Sequence, residues 1–210
     1  AEPLCPEGRL FPTPYLLSSS MREKHVLTTF LLVVFIVALV CGMVLWKHVP
    51  SMRDFVNTTE IIWTYYSSEP TKIECKADKK LYLSLLSIEF ERSYYYKMKK
   101  MCYSLVGRFD PKHNDVMIIH SPGSTFKQTE SIEYLDGMLA CAVVKVTMPG
   151  SSLKKYDLRV RNSSVHMLPG QKCLQYFTIK TQGKLFQLYK EYCQYLQQRP
   201  HNNEFNCKKV

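Results

Sequence analysis

The sequence lacks the motifs on which most enzymes and nucleotide-binding proteins depend. It has only eight glycines in 210 residues, with no glycine-rich phosphate loop and no GxSxG segment. None of its six histidines neighbours a serine in a nucleophile-elbow pattern. No two cysteines are spaced as CxxC, and no cysteine has a histidine at zinc-finger spacing. We therefore expect neither an enzyme nor a protein with a cofactor or a metal site.

Charge is absent from residues 26–46. The run follows Arg22 and Lys24 and has small residues near its end, as a secretory signal has before its cleavage site. We expect a signal peptide over residues 21–42, and therefore a secreted, extracellular protein. The alternative is a signal anchor that extends to about residue 46, because an uncharged run of this length can cross a bilayer.

The predicted domain covers residues 43–210, whereas residues 1–20 are a Pro-rich N-terminal extension of no assigned role. The formal net charge of +10 belongs to this domain, because acidic and basic residues balance before residue 43. Such a charge suits an acidic ligand or an anionic cell-surface polymer better than nucleic acid, which a secreted chain seldom meets. A membrane is an expected partner only if the leader is retained, and we expect a monomer.

Cysteines provide a second indication of export. Six of the eight lie in the predicted domain, namely Cys75, Cys102, Cys141, Cys173, Cys193 and Cys207. An even number in an exported domain predicts three disulfides, although six cysteines allow 15 pairings. Glycosylation sequons at Asn57 and Asn162 fit the same compartment.

Eight short runs rich in Tyr, Val, Ile and Phe predict consecutive strands. They are residues 60–67, 71–77, 85–96, 101–109, 115–120, 126–135, 138–148 and 155–163. The breaks contain Asp-Pro, Pro-Gly and Asp-Gly, which are typical of turns. A mainly β fold follows, an eight-stranded antiparallel up-and-down barrel with room for one small ligand. Helices are predicted over residues 50–57 and 171–180, and the tail from Gly183 is expected to depend on its cysteines for order.

The last predicted strand alternates in a way that leaves two interpretations open. Leu158 and Val160 fall on one face, and Asp157 and Arg159 fall on the other. The charged face either lies in water or lines the cavity of the barrel. Trp63, on the first strand, is likewise either a core residue or part of a ligand wall.

The segments NTTE leading into IIWTYY, then IECKAD, SIEF, YDLRVRNSS and a cysteine-led helix resemble a tick salivary lipocalin of the histamine-binding protein family. The resemblance covers about residues 50–195. It implies a lipocalin barrel with a short N-terminal helix and a C-terminal helix. It also implies a ligand site with Trp63 and two interior carboxylates, Glu89 and Asp157. Tyr65 and Arg159 complete the predicted site.

The resemblance implies a protein in saliva that sequesters a biogenic amine, histamine or serotonin, and so suppresses host defence and inflammation. This chain has Arg159 where amine binders have Trp, and Ala142 where they have an acid. Arg159 and the net charge favour an alternative ligand, an acidic lipid mediator of the leukotriene or thromboxane type. A further alternative is a surface-binding module for host proteins or anionic glycans. The resemblance also implies the pairs Cys75–Cys193 and Cys141–Cys173, which leaves Cys102 and Cys207 as the third pair.

Overall fold

The chain divides into two compact units, Ala1–His48 and Val49–Val210. The computed structural model describes residues 24–37, 50–166, 170–198 and 207–208. In the first unit, residues 24–37 form an α-helix, α1, whose side chains are exposed. No helix among the described residues is both long and apolar enough to cross a membrane. The predicted extension, residues 1–20, and the part of the uncharged run that follows residue 37, with the predicted cleavage site, lie outside the described residues.

An antiparallel barrel makes up most of the second unit. Its strands are β1 (Ile62–Ser67), β2 (Ile73–Leu83), β3 (Ser87–Tyr96), β4 (Lys99–Phe109), β5 (Val116–His120), β6 (Lys127–Leu135), β7 (Cys141–Thr147) and β8 (Lys155–Arg161). Each strand pairs with the next, β8 pairs with β1, and β1 closes the barrel on β2. This order confirms the predicted fold class, an eight-stranded up-and-down lipocalin barrel.

The strand β2 is longer than the sequence pattern indicated. It continues through Lys79 and Lys80 to Leu83, beyond the predicted end at residue 77. Lys79 is exposed on the outer face and pairs with Glu91 of β3. Because the outer face of this hairpin meets water, Lys79 does not interrupt the strand, and the half-buried Lys80 on the other face donates to Asn57.

A short helix, α2 (Met52–Val56), closes one end of the barrel. Its N-cap is Ser51, whose Oγ accepts a hydrogen bond from the backbone nitrogen of Asp54 at 3.2 Å. The buried side chains of Met52, Phe55 and Val56 join the cluster inside the barrel. The predicted helix at this position and its apolar side are therefore present.

The C-terminal part of the chain covers the outside of the barrel. Helix α3 (Gln171–Lys180) packs against β6, β7 and β8. A two-residue strand, β9 (Phe186–Gln187), pairs with the end of β1, and α4 (Tyr192–Gln198) follows. The sequence pattern predicted α3 but neither β9 nor α4.

Three disulfides tie these segments to the barrel. They are Cys75–Cys193, Cys102–Cys207 and Cys141–Cys173, the pairs named from the resemblance. Two of them join the polar tail after Gly183 to β2 and β4. The tail was predicted to be held by its cysteines in this way.

Candidate ligand-binding site

The alternating strand β8 is buried on both faces. Leu158 and Val160 lie in the outer cluster with Cys173 and Phe177 of α3. Asp157 and Arg159 are also buried, at 0% and 2% exposure, and make their ion pairs with residues of the barrel interior. The charged face of β8 therefore points into the barrel, because α3 occupies the other face.

Six charged side chains meet inside the barrel and form what we term the ion cluster. They are Lys76, Asp78, Arg92, Glu130, Asp157 and Arg159. Three are basic and three are acidic, so the formal charges of the cluster cancel. A buried ionic group is tolerated when it is paired in this way.

Glu130 and Arg159 form the central pair of the ion cluster. Nη1 and Nη2 of Arg159 each donate to one oxygen of Glu130, at 2.6 Å. Gln128 and Arg92 donate to Oε1 of the same carboxylate, at 2.5 and 3.1 Å. Burial alone would raise the pKa of Glu130, but the charges of Arg159 and Arg92 more than offset it and lower the pKa to about 2.

Arg92 and Asp78 form a second pair. Nε and Nη2 of Arg92 donate to the two oxygens of Asp78, both at 2.7 Å. This fork geometry is the strongest kind of guanidinium–carboxylate contact. It leaves Nη1 of Arg92 without a hydrogen bond to the described residues.

Lys76 and Asp157 form the third pair, with Nζ 2.7 Å from Oδ2. Burial lowers the pKa of Lys76 to about 8, although the charge of Asp157 acts in the opposite direction. Burial would raise the pKa of Asp157, but Lys76 and Lys155 hold it well below its usual range. The ammonium of Lys76 can donate three hydrogen bonds and gives one to Asp157.

A cavity of about 380 Å³ lies above the ion cluster, toward the end of the barrel opposite α2. Small-molecule sites usually have volumes of about 300–1,000 Å³. The charged residues among its described lining are Lys76, Arg92 and Lys155, and no described lining residue is acidic. The carboxylates of the ion cluster thus lie behind the basic groups and do not face the cavity.

The remaining wall of the cavity is mainly apolar and aromatic. It comprises Ile73, Tyr94, Tyr103, Leu105, Phe126, Met148 and Leu188, with Thr71, Ser121 and Gln128 as polar members. The rings of Tyr94 and Tyr103 stack with their centroids 6.0 Å apart. Burial, together with the hydrogen bond to Tyr103, raises the pKa of Tyr94 to about 12. The Tyr94 phenol is therefore neutral at physiological pH.

Leu188 fills a gap in the barrel wall. Strands β1 and β2 pair only at Ile62 and Trp63, and they separate beyond that point. The Leu188 nitrogen donates to the carbonyl of Tyr65 at 2.9 Å, and its carbonyl accepts from the nitrogen of Cys75 at 2.8 Å. The C-terminal segment consequently contributes a side chain to the cavity.

The predicted site is only partly assembled. Glu89 is exposed on the outer face of β3, because its neighbours Ile88 and Phe90 face inward. Its assignment as an interior carboxylate is wrong. Asp157 and Arg159 do face the interior, but they lie in the ion cluster below the cavity.

Trp63 and Tyr65 lie outside the barrel. Trp63 is fully buried in the outer cluster, where its Nε1 donates to Oδ1 of Asn162 at 2.8 Å. Its ring is 5.1 Å from that of Tyr189, which also stacks on Tyr65 at 5.4 Å. Of the two interpretations of Trp63, the structure supports the core residue, and neither ring is placed on the cavity wall.

Lys76, Arg92 and Glu130 were missed by the sequence reasoning. Lys76 and Arg92 alternate along their strands with outward-facing or apolar residues, as any solvent-exposed charge would. The signal that could have found them is the excess of opposite charges at inward positions on several strands. A single strand cannot show that these charges meet.

The two sequons differ in their surroundings. Asn57 is exposed, and its Oδ1 accepts from Nζ of Lys80 at 3.1 Å. Asn162 is half-buried, and its Oδ1 accepts from Trp63 and from Gln194. Glycosylation of both stays a prediction.

Glu91, Cys102 and Cys207 place potential metal-ligand atoms within 4.8 Å of one another. Both sulfurs are joined in a disulfide and cannot bind a metal as thiolates. The group therefore gives no reason to propose a metal site.

The solved structures that are similar to the chain include three with the following names. Japanin from Rhipicephalus appendiculatus, bound to cholesterol, has a TM-score of 0.45 and 12% identity, over 62% of this chain and 91% of its own. The siderocalin Ex-FABP, described as having dual ligand specificities, has a TM-score of 0.49 and 11% identity, over 63% and 94%. Lipocalin 12 from rat epididymis has a TM-score of 0.48 and 10% identity, over 70% and 88%.

These structural neighbours are lipocalins, and at such identities and TM-scores the likeness concerns the fold alone. The sequence matches no family model and no curated protein. The comparisons therefore identify no ligand for this chain.

Proposed function

We propose that the chain binds one small amphipathic acid in the barrel and lowers the free concentration of that molecule. The observation that carries the proposal is the lining of the 380 Å³ cavity, with three basic side chains and no acidic one among the described residues. This lining favours the acidic lipid mediator over the amine that the resemblance implied.

The head group of the ligand would lie at the floor of the cavity. Nζ of Lys76 and Nη1 of Arg92 have donors left after their contacts within the ion cluster. Lys155 adds a third cation at the side, with Nζ 3.7 Å from Oδ1 of Asp157. Since the six charges of the ion cluster cancel, Lys155 leaves the floor with an excess positive charge that an acid neutralises.

The body of the ligand would lie along the apolar wall. Leu105, Leu188 and the stacked rings of Tyr94 and Tyr103 offer carbon surface above the basic floor. Burying the chain of a fatty acid there contributes about 0.8 kcal/mol for each methylene. A basic floor below an apolar wall is the pattern that a carboxylate with a hydrocarbon tail requires.

An amine finds no acidic partner among the described residues that line this cavity. Its cation would meet Lys76, Arg92 and Lys155. The carboxylates of Glu130 and Asp157 lie behind these groups and are already paired with Arg159 and Lys76. Like charges within a poorly solvated site repel strongly. Arg159, which stands where amine binders have Trp, also disfavours an amine, because its guanidinium already pairs with both oxygens of Glu130.

Sequestration outside the cell is part of the proposal. Three disulfides support an oxidising compartment, where such bonds persist. A binding protein of this kind needs affinity and abundance and no catalytic group. A host lipid mediator of the leukotriene or thromboxane type, met at a feeding site, has the required chemistry.

Calorimetry with matched ligands tests the proposal. We expect arachidonic acid to bind at least roughly tenfold more tightly than its alcohol, because only the acid makes charge-assisted hydrogen bonds with the floor. Lys76→Met should remove that preference. Lys79→Met, an exposed position on the outer face of the same strand, is the matched control.

Two results would overturn the proposal. Binding of histamine or serotonin without binding of the acid would restore the amine. Equal affinity for the acid and the alcohol, unchanged by Lys76→Met, would show that the basic floor has no role in recognition.

A further inference from the structure

The open end of the barrel is formed by four connections between strands. They are residues 68–72, 97–98, 121–126 and 148–154. Thr71, Ser121, Phe126 and Met148 from these connections line the cavity, which places its mouth at this end. We term these connections, with the first residues of β4, β6 and β8, the rim.

The rim is strongly basic. It contains six lysines, Lys72, Lys97, Lys99, Lys127, Lys154 and Lys155, and one acidic residue, Glu69, for a formal charge of +5. Glu74 follows the first connection but is paired with Lys190 at 2.8 Å. Glu74 therefore does not neutralise the positive charge of the rim.

The opposite end of the barrel has the reverse charge. It comprises residues 51–60, 84–86, 110–115, 136–140 and 162–166, with five acidic residues and two basic ones, for a formal charge of −3. A domain with charges separated in this way orients in an electric field before it makes contact. Its open end would turn toward a negative surface.

The rim also exposes large apolar side chains. Met98 is 92% exposed, and Leu153, Met148 and Phe126 are exposed on neighbouring connections. Each stands close to a lysine in the sequence, as Met98 does between Lys97 and Lys99. Apolar side chains surrounded by lysines are typical of surfaces that lie in the headgroup region of a membrane.

We propose that the rim docks on an anionic lipid surface, with the mouth of the barrel facing the membrane. The lysines would contact the lipid headgroups, and Met98 and Leu153 would enter the interface between them. An amphipathic acid that is dissolved in that membrane could then reach the cavity without crossing water. Docking itself requires only the rim, so it does not depend on the proposed ligand.

Another exposed apolar group exists at the acidic end. Leu81, Tyr82, Leu85 and Leu86, at the tip of the β2–β3 hairpin, are all more than half exposed. Glu89 pairs with Tyr82 across the hairpin, and the end as a whole is acidic. An anionic surface would repel this end, which makes it a suitable control.

The first experiment measures sedimentation of the full chain with vesicles of phosphatidylserine and phosphatidylcholine. Lys97→Gln combined with Lys154→Gln should weaken the binding roughly 30-fold at low salt, because both lysines would face the headgroups. Lys112→Gln combined with Lys172→Gln removes the same charge far from the rim and should weaken it much less. An equal loss in both pairs would mean that net charge alone governs binding and would overturn the proposal.

The second experiment locates the contact. Leu153→Trp on the rim should shift its fluorescence to the blue on the anionic vesicles, whereas Leu85→Trp at the opposite end should not. Both variants retain residues 26–46. Any contribution of that run to vesicle binding is therefore the same in the two and does not affect the comparison. A blue shift in Leu85→Trp without one in Leu153→Trp would show that the β2–β3 hairpin, and not the rim, contacts the membrane.

An anionic glycan is the competing partner, and heparin tests it. If the rim lysine variant loses affinity for heparin but keeps its affinity for the vesicles, the docking proposal is wrong. Vesicle binding by a variant such as Lys76→Met, which lacks the proposed head-group contact, would confirm that docking and ligand recognition are separate properties.

Discussion

Arg159 donates two hydrogen bonds to the two carboxylate oxygens of Glu130, each 2.6 Å long, beneath the ligand cavity. Glu130 also accepts a hydrogen bond from Arg92, which lines the cavity. The acidic layer of the ion cluster therefore fixes the basic groups that would meet a ligand. A bidentate pair that is fully buried holds its geometry better than an exposed one.

Glu130→Gln should lower the free energy of unfolding by about 3–5 kcal/mol, because it leaves the buried guanidinium of Arg159 without its bidentate carboxylate, whereas Arg92 keeps its pair with Asp78. Urea unfolding measures the change. The matched control is Glu89→Gln on the exposed face of β3, which should change stability by less than about 0.5 kcal/mol. Similar losses in the two variants would mean that the ion cluster does not stabilise the barrel.

Glu130 also predicts the acid stability of the barrel. Its folded pKa of about 2 lies below the ordinary value of 4.5, so the unfolded chain takes up the proton first. Its contribution is complete above about pH 4.5 and is lost as the pH falls through about 2. Stability measured across this window should fall less steeply in Glu130→Gln than in the wild type, and parallel curves would contradict the assignment.

The barrel was predictable from the sequence because strand periodicity and turn residues are local signals. Its eight strands were predicted close to where they lie. The largest error in a strand boundary is the end of β2, where the exposed Lys79 lies within the strand. The site was less predictable, since Lys76, Arg92 and Glu130 meet only when β2, β3 and β6 close into a barrel. Glu89 was misassigned because the family pattern does not report on which face of β3 a residue falls.

The disulfide Cys75–Cys193 should affect both stability and binding. Its removal by Cys75→Ala with Cys193→Ala opens a link between residues 118 positions apart, which costs about 2–5 kcal/mol. It also releases the segment that places Leu188 on the cavity wall, so affinity for arachidonic acid should fall.

Removal of Cys102–Cys207 is the comparison for that result. The separation of 105 residues is similar, so the loss of stability should be similar, but neither cysteine lines the ligand cavity. Thermal unfolding and calorimetry on both double variants check the prediction. An equal loss of affinity in the two would show that Leu188 has no particular role in the site.

Gly107 should not tolerate a side chain. A Cβ at this position would lie 2.9 Å from Cγ of Met117, which is closer than Cβ atoms approach other atoms in proteins. It would lie 3.0 Å from Cγ2 of Ile88, which is at that limit. Gly107→Ala should therefore cost about 1–3 kcal/mol through displacement of Met117. Gly137→Ala, which meets no atom within 4 Å, is the control and should be close to neutral in urea unfolding.

The affinity for an acid should decrease as the pH rises through about 8. Burial lowers the pKa of Lys76 to about 8, so its charge is lost in this range. The other groups that face it, Asp157, Arg92 and Arg159, keep theirs, since the pKa of the acid is lowered and those of the two guanidinium groups are raised. Tyr94, with a pKa of about 12, stays neutral.

Stability should change in the opposite direction. The folded pKa of Lys76 lies below its ordinary 10.5, so between about pH 8 and 10.5 the unfolded chain holds more protons, and the free energy of unfolding contributed by this group rises with pH.

Arachidonic acid should bind roughly tenfold more weakly at the upper end of this range, because one charge-assisted hydrogen bond is lost. Calorimetry should detect proton uptake on binding near pH 8, and Lys76→Met should abolish both the uptake and the pH dependence. Lys79→Met should preserve them, and a pH dependence that persists in Lys76→Met would assign the effect to another group.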